Sequence, residues 1–252
     1  MSSLLSVRNL SLSLAGSIDV LSDISFDIKK NSTVLLSGKN GSGKSMLLRT
    51  LKGLIPFQKG SISLDGKNVT RNSSYRNTHI ALVFQDTETQ IVGQSVRKDL
   101  LFGLQNTGIS KSESHERIEQ VASLLDITHL LERRPMQLSG GEKRRVAIGG
   151  VLVMNPQLIF LDEPFANLDY PGIRQVLLSI LALQKNGTTV IIATHEVEKV
   201  AFHCDTMMIM EKGRIETAGP ARTVLENAAD YDIKIPSHRG EPLDFEELTY
   251  LS

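Results

Sequence analysis

The chain has one cysteine, no net charge and no long apolar run. The lone Cys204 rules out an internal disulfide and suits a reducing compartment. Lysines and arginines number 28, as do the acids, so no basic field is present to hold a nucleic-acid backbone. Nowhere do about 18 apolar residues follow one another, as a bilayer-spanning helix requires. The opening Met1-Ser2-Ser3-Leu4-Leu5-Ser6 has neither the basic start nor the apolar stretch of a signal peptide. Internal repeats and low-complexity tracts are missing too. The expectation is a soluble, cytosolic protein that reaches any membrane through a partner. With 252 residues, 40% of them apolar, it has material for one large α/β domain or one domain with an inserted subdomain.

The chain is organised around Ser37-Gly38-Lys39-Asn40-Gly41-Ser42-Gly43-Lys44-Ser45. The apolar run Thr33–Leu36 precedes it, and Met46–Leu51 follows with apolar residues at helical spacing. Strand, glycine-rich turn and helix make the context of a phosphate loop. Gly38, Gly41 and Gly43 let backbone N–H groups approach an anion, and the backbone around Asn40 and Ser42 completes the cradle. The following helix aims its free N–H groups and positive dipole end at the same place. Lys44 then reaches the outer phosphates, and the Ser45 hydroxyl is a ligand for Mg²⁺. The pattern predicts binding of a nucleoside triphosphate.

Upstream, Leu4–Val7, Leu10–Leu14 and Ile24–Ile28 alternate apolar with polar and predict antiparallel strands. Gly53 predicts the end of the first helix, Asp65-Gly66 a hairpin turn, and 79–84 a buried strand ending at Gln85. Residues 86–111 read as polar and glycine-punctuated, 114–131 as a helix, and Ser139-Gly140-Gly141 as the start of another. The stretch 86–154 reads as a helical insertion. Gly149 and Gly150 inside that last helix point to close packing. Buried strands are expected at 157–161 and 188–193, helices at 172–185, 196–203 and 221–228, and a hairpin at 206–217.

Asp162 and Glu163 follow the apolar strand 157–161, on the edge where a parallel sheet binds its ligands. Asp162 is placed to hold Mg²⁺, and Glu163 to orient and deprotonate an attacking water. Solvated acids capping the next helix are the bland alternative. His195 ends the next strand, suited to hydrogen-bond a γ-phosphate or the water. Gln85 ends a fourth, able to contact metal or water, though a polar residue at a strand exit needs no such role. In Leu138-Ser139-Gly140-Gly141-Glu142, Ser139 is a good N-cap, and the glycines leave N–H groups open for a second anion.

Together these residues resemble the nucleotide-binding subunit of ATP-binding-cassette (ABC) transporters, over residues 1 to about 220. The family's motifs occur in order: phosphate loop at 38–45, glutamine loop at Gln85, signature at 138–142, Walker B at 158–163, D-loop at 166–169, switch histidine at 195. The resemblance implies a P-loop, RecA-like α/β core with an N-terminal antiparallel β-subdomain and an inserted helical subdomain, then a short extension at 221–252. It implies ATP and Mg²⁺ as ligands, and a head-to-tail dimer with a like or sister subunit. Ser139, Gly140 and Gly141 would complete the partner's ATP site, with Asp169 communicating across the interface. The stretch 83–92, with Gln85 and Gln90, together with 99–103 and 142–148, is similar to the ATPase of energy-coupling-factor (ECF) importers of vitamins or transition-metal ions. That likeness implies a transmembrane coupling subunit, a separate membrane substrate-binding subunit, and a peripheral place on the cytoplasmic face of the membrane.

Four places depart from the family pattern, among them Met46, where a hydroxyl residue commonly follows Ser45, and Asn31-Ser32, where a glycine-acid pair is usual. Leu14 stands where an adenine-stacking aromatic is usual, and Glu142 where glutamine is common. Other readings are a non-transport ABC ATPase acting on a macromolecular complex, and an ATP-binding regulatory half of a heterodimer. Zero net charge and a single cassette speak against the first, and Glu163 with His195 against the second.

Overall fold

The structure, a computed structural model, describes residues 3–14, 18–105, 108–233, 237–238, 241–242 and 244–251. Its first strands, β1 (Ser3–Leu14) and β2 (Ile18–Lys29), pair antiparallel. The two runs expected at 4–7 and 10–14 form one strand, because a bulge with Asn9 at positive φ absorbs the break in alternation. After β3 (Thr33–Ser37) and α1 (Lys44–Lys52) come β4 (Lys59–Leu64) and β5 (Lys67–Asn68), joined at Asp65-Gly66. Strands β1, β2, β4 and β5 make a four-stranded sheet in the order β2-β1-β4-β5.

Helix α2 (Ser73–His79) was not legible as one, since its sequence carries no apolar stripe; Asn72 caps it by accepting from the Tyr75 N–H. It claims His79, so β6 runs only from Ile80 to Val83. Residues 86–111 hold a further unpredicted helix, α3 (Val96–Leu104), capped by Ser95. Helix α4 (Lys111–Leu124) is shorter than expected, and 128–130 forms a separate 3-10 turn. Then come α5 (Gly140–Leu152), β7 (Leu158–Asp162), α6 (Tyr170–Lys185) and β8 (Thr189–Ala193). The helix expected at 196–203 is two 3-10 turns instead. The hairpin of β9 (Thr206–Glu211) and β10 (Arg214–Pro220), with α7 (Ala221–Glu226), closes the core.

The main sheet has six strands in the order β10-β9-β3-β8-β7-β6, all parallel except the edge strand β10. Side chains alternate across it. Val34, Leu36, Leu158, Phe160 and Ile191 enter a core shared with α1 and the antiparallel sheet. Leu35, Ile159, Leu161, Val190 and Ile192 enter another, shared with α3 to α7. No helix among the described residues is long and apolar enough to cross a membrane.

The glycines of the insertion allow the close packing expected of them. A Cβ on Gly103 of α3 would lie 2.7 Å from the Gly150 carbonyl oxygen of α5. Gly103→Ala should therefore destabilise the protein by about 1–3 kcal/mol through overpacking. Urea unfolding should show the midpoint falling with the m-value unchanged; an unchanged midpoint would mean that α3 and α5 are not in contact.

Candidate active site

Parallel register brings the ends of β3, β6, β7 and β8 to one edge. Asp162 lies beside Ala193, and Ala193 beside Leu36. Beyond the strands the ladder continues: the Glu163 N–H donates to the Ala193 carbonyl at 2.8 Å, and the Thr194 N–H to the Leu36 carbonyl at 3.1 Å. The phosphate loop leaves β3 at Gly38, whose φ is 145° and where a Cβ would lie 2.1 Å from the Met210 carbonyl oxygen. No other residue fits there. The β9–β10 turn fastens the loop, with the Gly213 N–H donating to the Ser42 carbonyl and the Ser22 N–H to that of Gly213.

Lys44 is buried, and its Nζ donates to the carbonyls of Gly38 at 2.6 Å and Lys39 at 3.1 Å. Burial lowers its pKa, against the nearby Glu163 and Asp162 charges. The Glu163 Oε1 stands 3.9 Å from Nζ. That carboxylate is itself only 6% exposed, with His195 Nδ1 at 3.0 Å from Oε1 and Thr194 Oγ donating to Oε2 at 2.9 Å. A carboxylate only accepts, so Nδ1 carries the proton. Glu163 has φ 47°, a left-handed conformation costing about 1–2 kcal/mol, which turns its side chain away from the direction Asp162 takes.

The Ser45 Oγ donates to Asp162 Oδ1 at 2.9 Å. Burial raises the Asp162 pKa and Glu163 adds to this, while the Ser45 hydrogen bond, Arg49 and Lys44 pull it down. Two hard oxygens at this spacing suit Mg²⁺, since bonds of 2.0–2.1 Å at right angles put neighbouring ligands roughly 2.9 Å apart. Among the described residues no three His, Cys, Asp or Glu side chains could hold a metal by themselves. Phosphate oxygens would have to supply the other ligands.

A cleft of ≈ 440 Å³ gathers Val20, Asn40, Gly41, Gly43, Lys44, Ser45, Met46, Gln85, Glu163 and His195. The cleft takes its apolar wall from Val20 and Met46 rather than from Leu14, which is exposed at the end of β1. Neither Val20 nor Thr194 was picked out from the sequence; Thr194 had a signal, its place between the strand and His195. The signature residues stand apart. Gly140 lines a second cleft, of ≈ 710 Å³, with Asn167 and with Gln85, which borders both. Ser139 caps α5 in a reciprocal box, accepting from the Glu142 N–H at 3.3 Å while Glu142 Oε2 accepts from the Ser139 N–H at 2.7 Å. Glu142 thus does what a glutamine could do there, and against partial burial the Ser139 contacts hold its carboxyl below the usual range. Asp169 is not in the nucleotide cleft; it caps α6, accepting from the Gly172 N–H at 3.0 Å. A Cβ on Gly141 would lie 2.9 Å from Gly172, so α5 and α6 start back to back.

Because burial raises the Asp162 pKa, its ionised form weakens the fold. The penalty is absent below the unfolded value of about 3.9 and complete above the folded one. Asp162→Asn should thus raise the melting midpoint of the protein without nucleotide at neutral pH. The gain should shrink as pH falls through that window; a variant less stable at pH 7 would refute the assignment.

The family described as ABC transporter matches residues 21–166. The ECF transporter ATP-binding protein EcfA1 of Streptococcus pneumoniae is 36% identical over 235 residues, 91% of this chain and 85% of that protein. EcfA1 of Mycoplasma pneumoniae is 36% identical over 214 residues, 84% and 78% of the two chains. The structure of CbiO1 from Clostridium perfringens, described as part of the ABC transporter complex CbiONQ, superposes with a TM-score of 0.84 at 33% identity, covering 90% of this chain and 92% of that one. The chain belongs to the ABC transporter family, as one of its ATP-hydrolysing cassettes.

Proposed function

We propose that this cassette powers an ECF-type membrane importer of a vitamin or a transition-metal ion, peripheral on the cytoplasmic face. The names of the relatives support the importer class, as do the two glutamines at 85 and 90. Residues 1–220 form the cassette, with 86–154 as its helical signature subdomain, and 221–252 an extension. A groove of ≈ 420 Å³ lined by Gln90, Val92, Phe102, Gly103, Gly150 and Met154, among others, supports docking of a transmembrane coupling subunit beside the Gln85 loop. Phe102 and Val92 are apolar and more than half exposed there. A separate membrane subunit would bind the substrate.

The observation that carries the catalytic reading is the buried Glu163, held by Thr194 and His195 and facing Lys44. The phosphate-loop amides from Gly38 to Ser45 and the Lys44 ammonium hold the phosphates of ATP. Ser45 and Asp162, with Gln85 beside them, hold Mg²⁺, which supplies charge neutralisation when bound. Glu163 takes the proton of the attacking water, exchanging one of its present donors for it. His195, its Nδ1 proton engaged by Glu163, keeps Nε2 as an acceptor for the attacking water. Ser139, Gly140 and Gly141 present α5 to the nucleotide of a second cassette, like or sister, and Asp169 holds the start of α6 against them.

Glu163→Gln should lower steady-state ATPase activity at least about a hundredfold, the scale of general-base catalysis. The variant should still bind ATP, and with Mg²⁺ it should run as a dimer in size-exclusion chromatography. Unchanged turnover would remove Glu163 as the base. Slow turnover without a dimer would point to a sister subunit as the partner.

A further inference from the structure

Phe84, the residue before Gln85, is held from three directions. Its N–H donates to Gln90 Oε1 at 3.0 Å, and its carbonyl accepts from Arg144 Nη1 at 2.9 Å. The Arg49 guanidinium lies 5.8 Å from its ring centroid. Arg49 belongs to α1, which begins at Lys44, and Arg144 to α5, which begins at Gly140. The peptide that aims Gln85 is therefore tied to the helix of the phosphate loop and to the helix of the signature at once.

Arg144 is an expensive way to hold a carbonyl. It is 4% exposed, its Nε is buried without a partner, and among the described residues no carboxylate lies within ion-pair distance of it. Burial works against its charge, opposed by the fields of Asp162 and Asp86. An apolar side chain of like volume would pack there with no such penalty. Packing alone does not account for a guanidinium at this place.

We propose that Arg144 is a positioning residue for ATP hydrolysis: through the Phe84 carbonyl it sets Gln85 at the nucleotide cleft and locks that setting to the signature helix of the same subunit. Gln85 borders both clefts, and Arg144 lines the larger one, so the link runs along the wall between them. A shift of α5 pulls on Gln85, and a shift of Gln85 pushes on α5. The inference rests on the reading of Gln85 as a residue that acts on the nucleotide.

The test compares Arg144→Met, Arg144→Lys, Gln85→Ala and the Arg144→Met/Gln85→Ala double variant with the wild type. Turnover, ATP dissociation constant, melting midpoint and hydrogen exchange over 84–92 are measured for each. Arg144→Met should lower kcat about ten- to a hundredfold, as misplacing a group by about 1 Å does, with ATP affinity within about threefold of wild type. Arg144→Lys should recover part of the loss, and exchange should rise over 84–92 in both. The double variant should be no slower than the slower single one, because both act through one contact. Multiplied losses, or wild-type turnover in Arg144→Met, would overturn the proposal. If Arg144→Met melts too low to assay, wild-type turnover or unchanged exchange in Arg144→Lys decides against it. Wild-type turnover in Gln85→Ala would show that the reading of Gln85 had failed, and the proposal with it.

Discussion

Lys44, Asp162 and Glu163 are ionisable side chains buried together at one end of the sheet, and the surroundings are built to make that tolerable. Alone, each ion would cost several kcal/mol in lost hydration. Here Lys44 faces Glu163 at 3.9 Å and rests on two backbone carbonyls. Glu163 leans on Thr194 and His195, and Asp162 on Ser45. These partners come from the exits of β3, β7 and β8 and from the start of α1, which only a parallel sheet delivers to a common edge. The β9–β10 turn and β2 brace the loop from the other side through Gly213. A charge cluster assembled from so many elements requires most of the fold to be in place before it can exist.

The second glycine site follows a different logic. Its helix start is closed by neighbouring residues, Ser139 and Glu142, and backs onto α6 through Gly141 and Gly172. From the parallel sheet's ligand edge, Gln85 reaches the cleft beside it. A cassette built this way has one glycine loop around a buried lysine and another glycine pair at a helix start closed by its own capping box, with Lys143 and Arg144 on the wall of the neighbouring cleft. Two such surfaces facing each other would make the complementary halves of one compartment.

Where sequence reading succeeded, the signal was local and strongly patterned. The glycines of the phosphate loop, the Asp65-Gly66 turn, the Ser139 cap and the continuous apolar runs of β7 and β8 each fix their own backbone. The failures have physical reasons. Helix α2 buries almost no apolar residue of its own and depends on Arg76 reaching the carbonyls of Val69 and Thr70, contacts that periodicity does not record. Helix α3 runs unbroken through Gly103, which reads as a breaker in the sequence but serves a close approach to α5. Among site residues, Lys44, Ser45, Gln85, Asp162, Glu163 and His195 could be brought to one sheet edge from their places in the phosphate loop and at strand ends. Val20, on β2, could not, because its contribution depends on how the antiparallel sheet sits over the loop.

Helices α3 to α5 have no core of their own. Leu100, Ile118, Val146 and Ile148 belong to the same apolar cluster as Leu35, Ala81, Val83, Ile159 and Leu161 of the sheet. A gap opened between the two layers would put that cluster in contact with water, at about 25 cal/mol for every Å² uncovered. Motion of the signature helix against the sheet is thereby confined to shear, with packed faces sliding and side chains reseating by small steps, and a wide hinge is closed to it. The insertion behaves less like a lever on a pivot than like a plate held by suction.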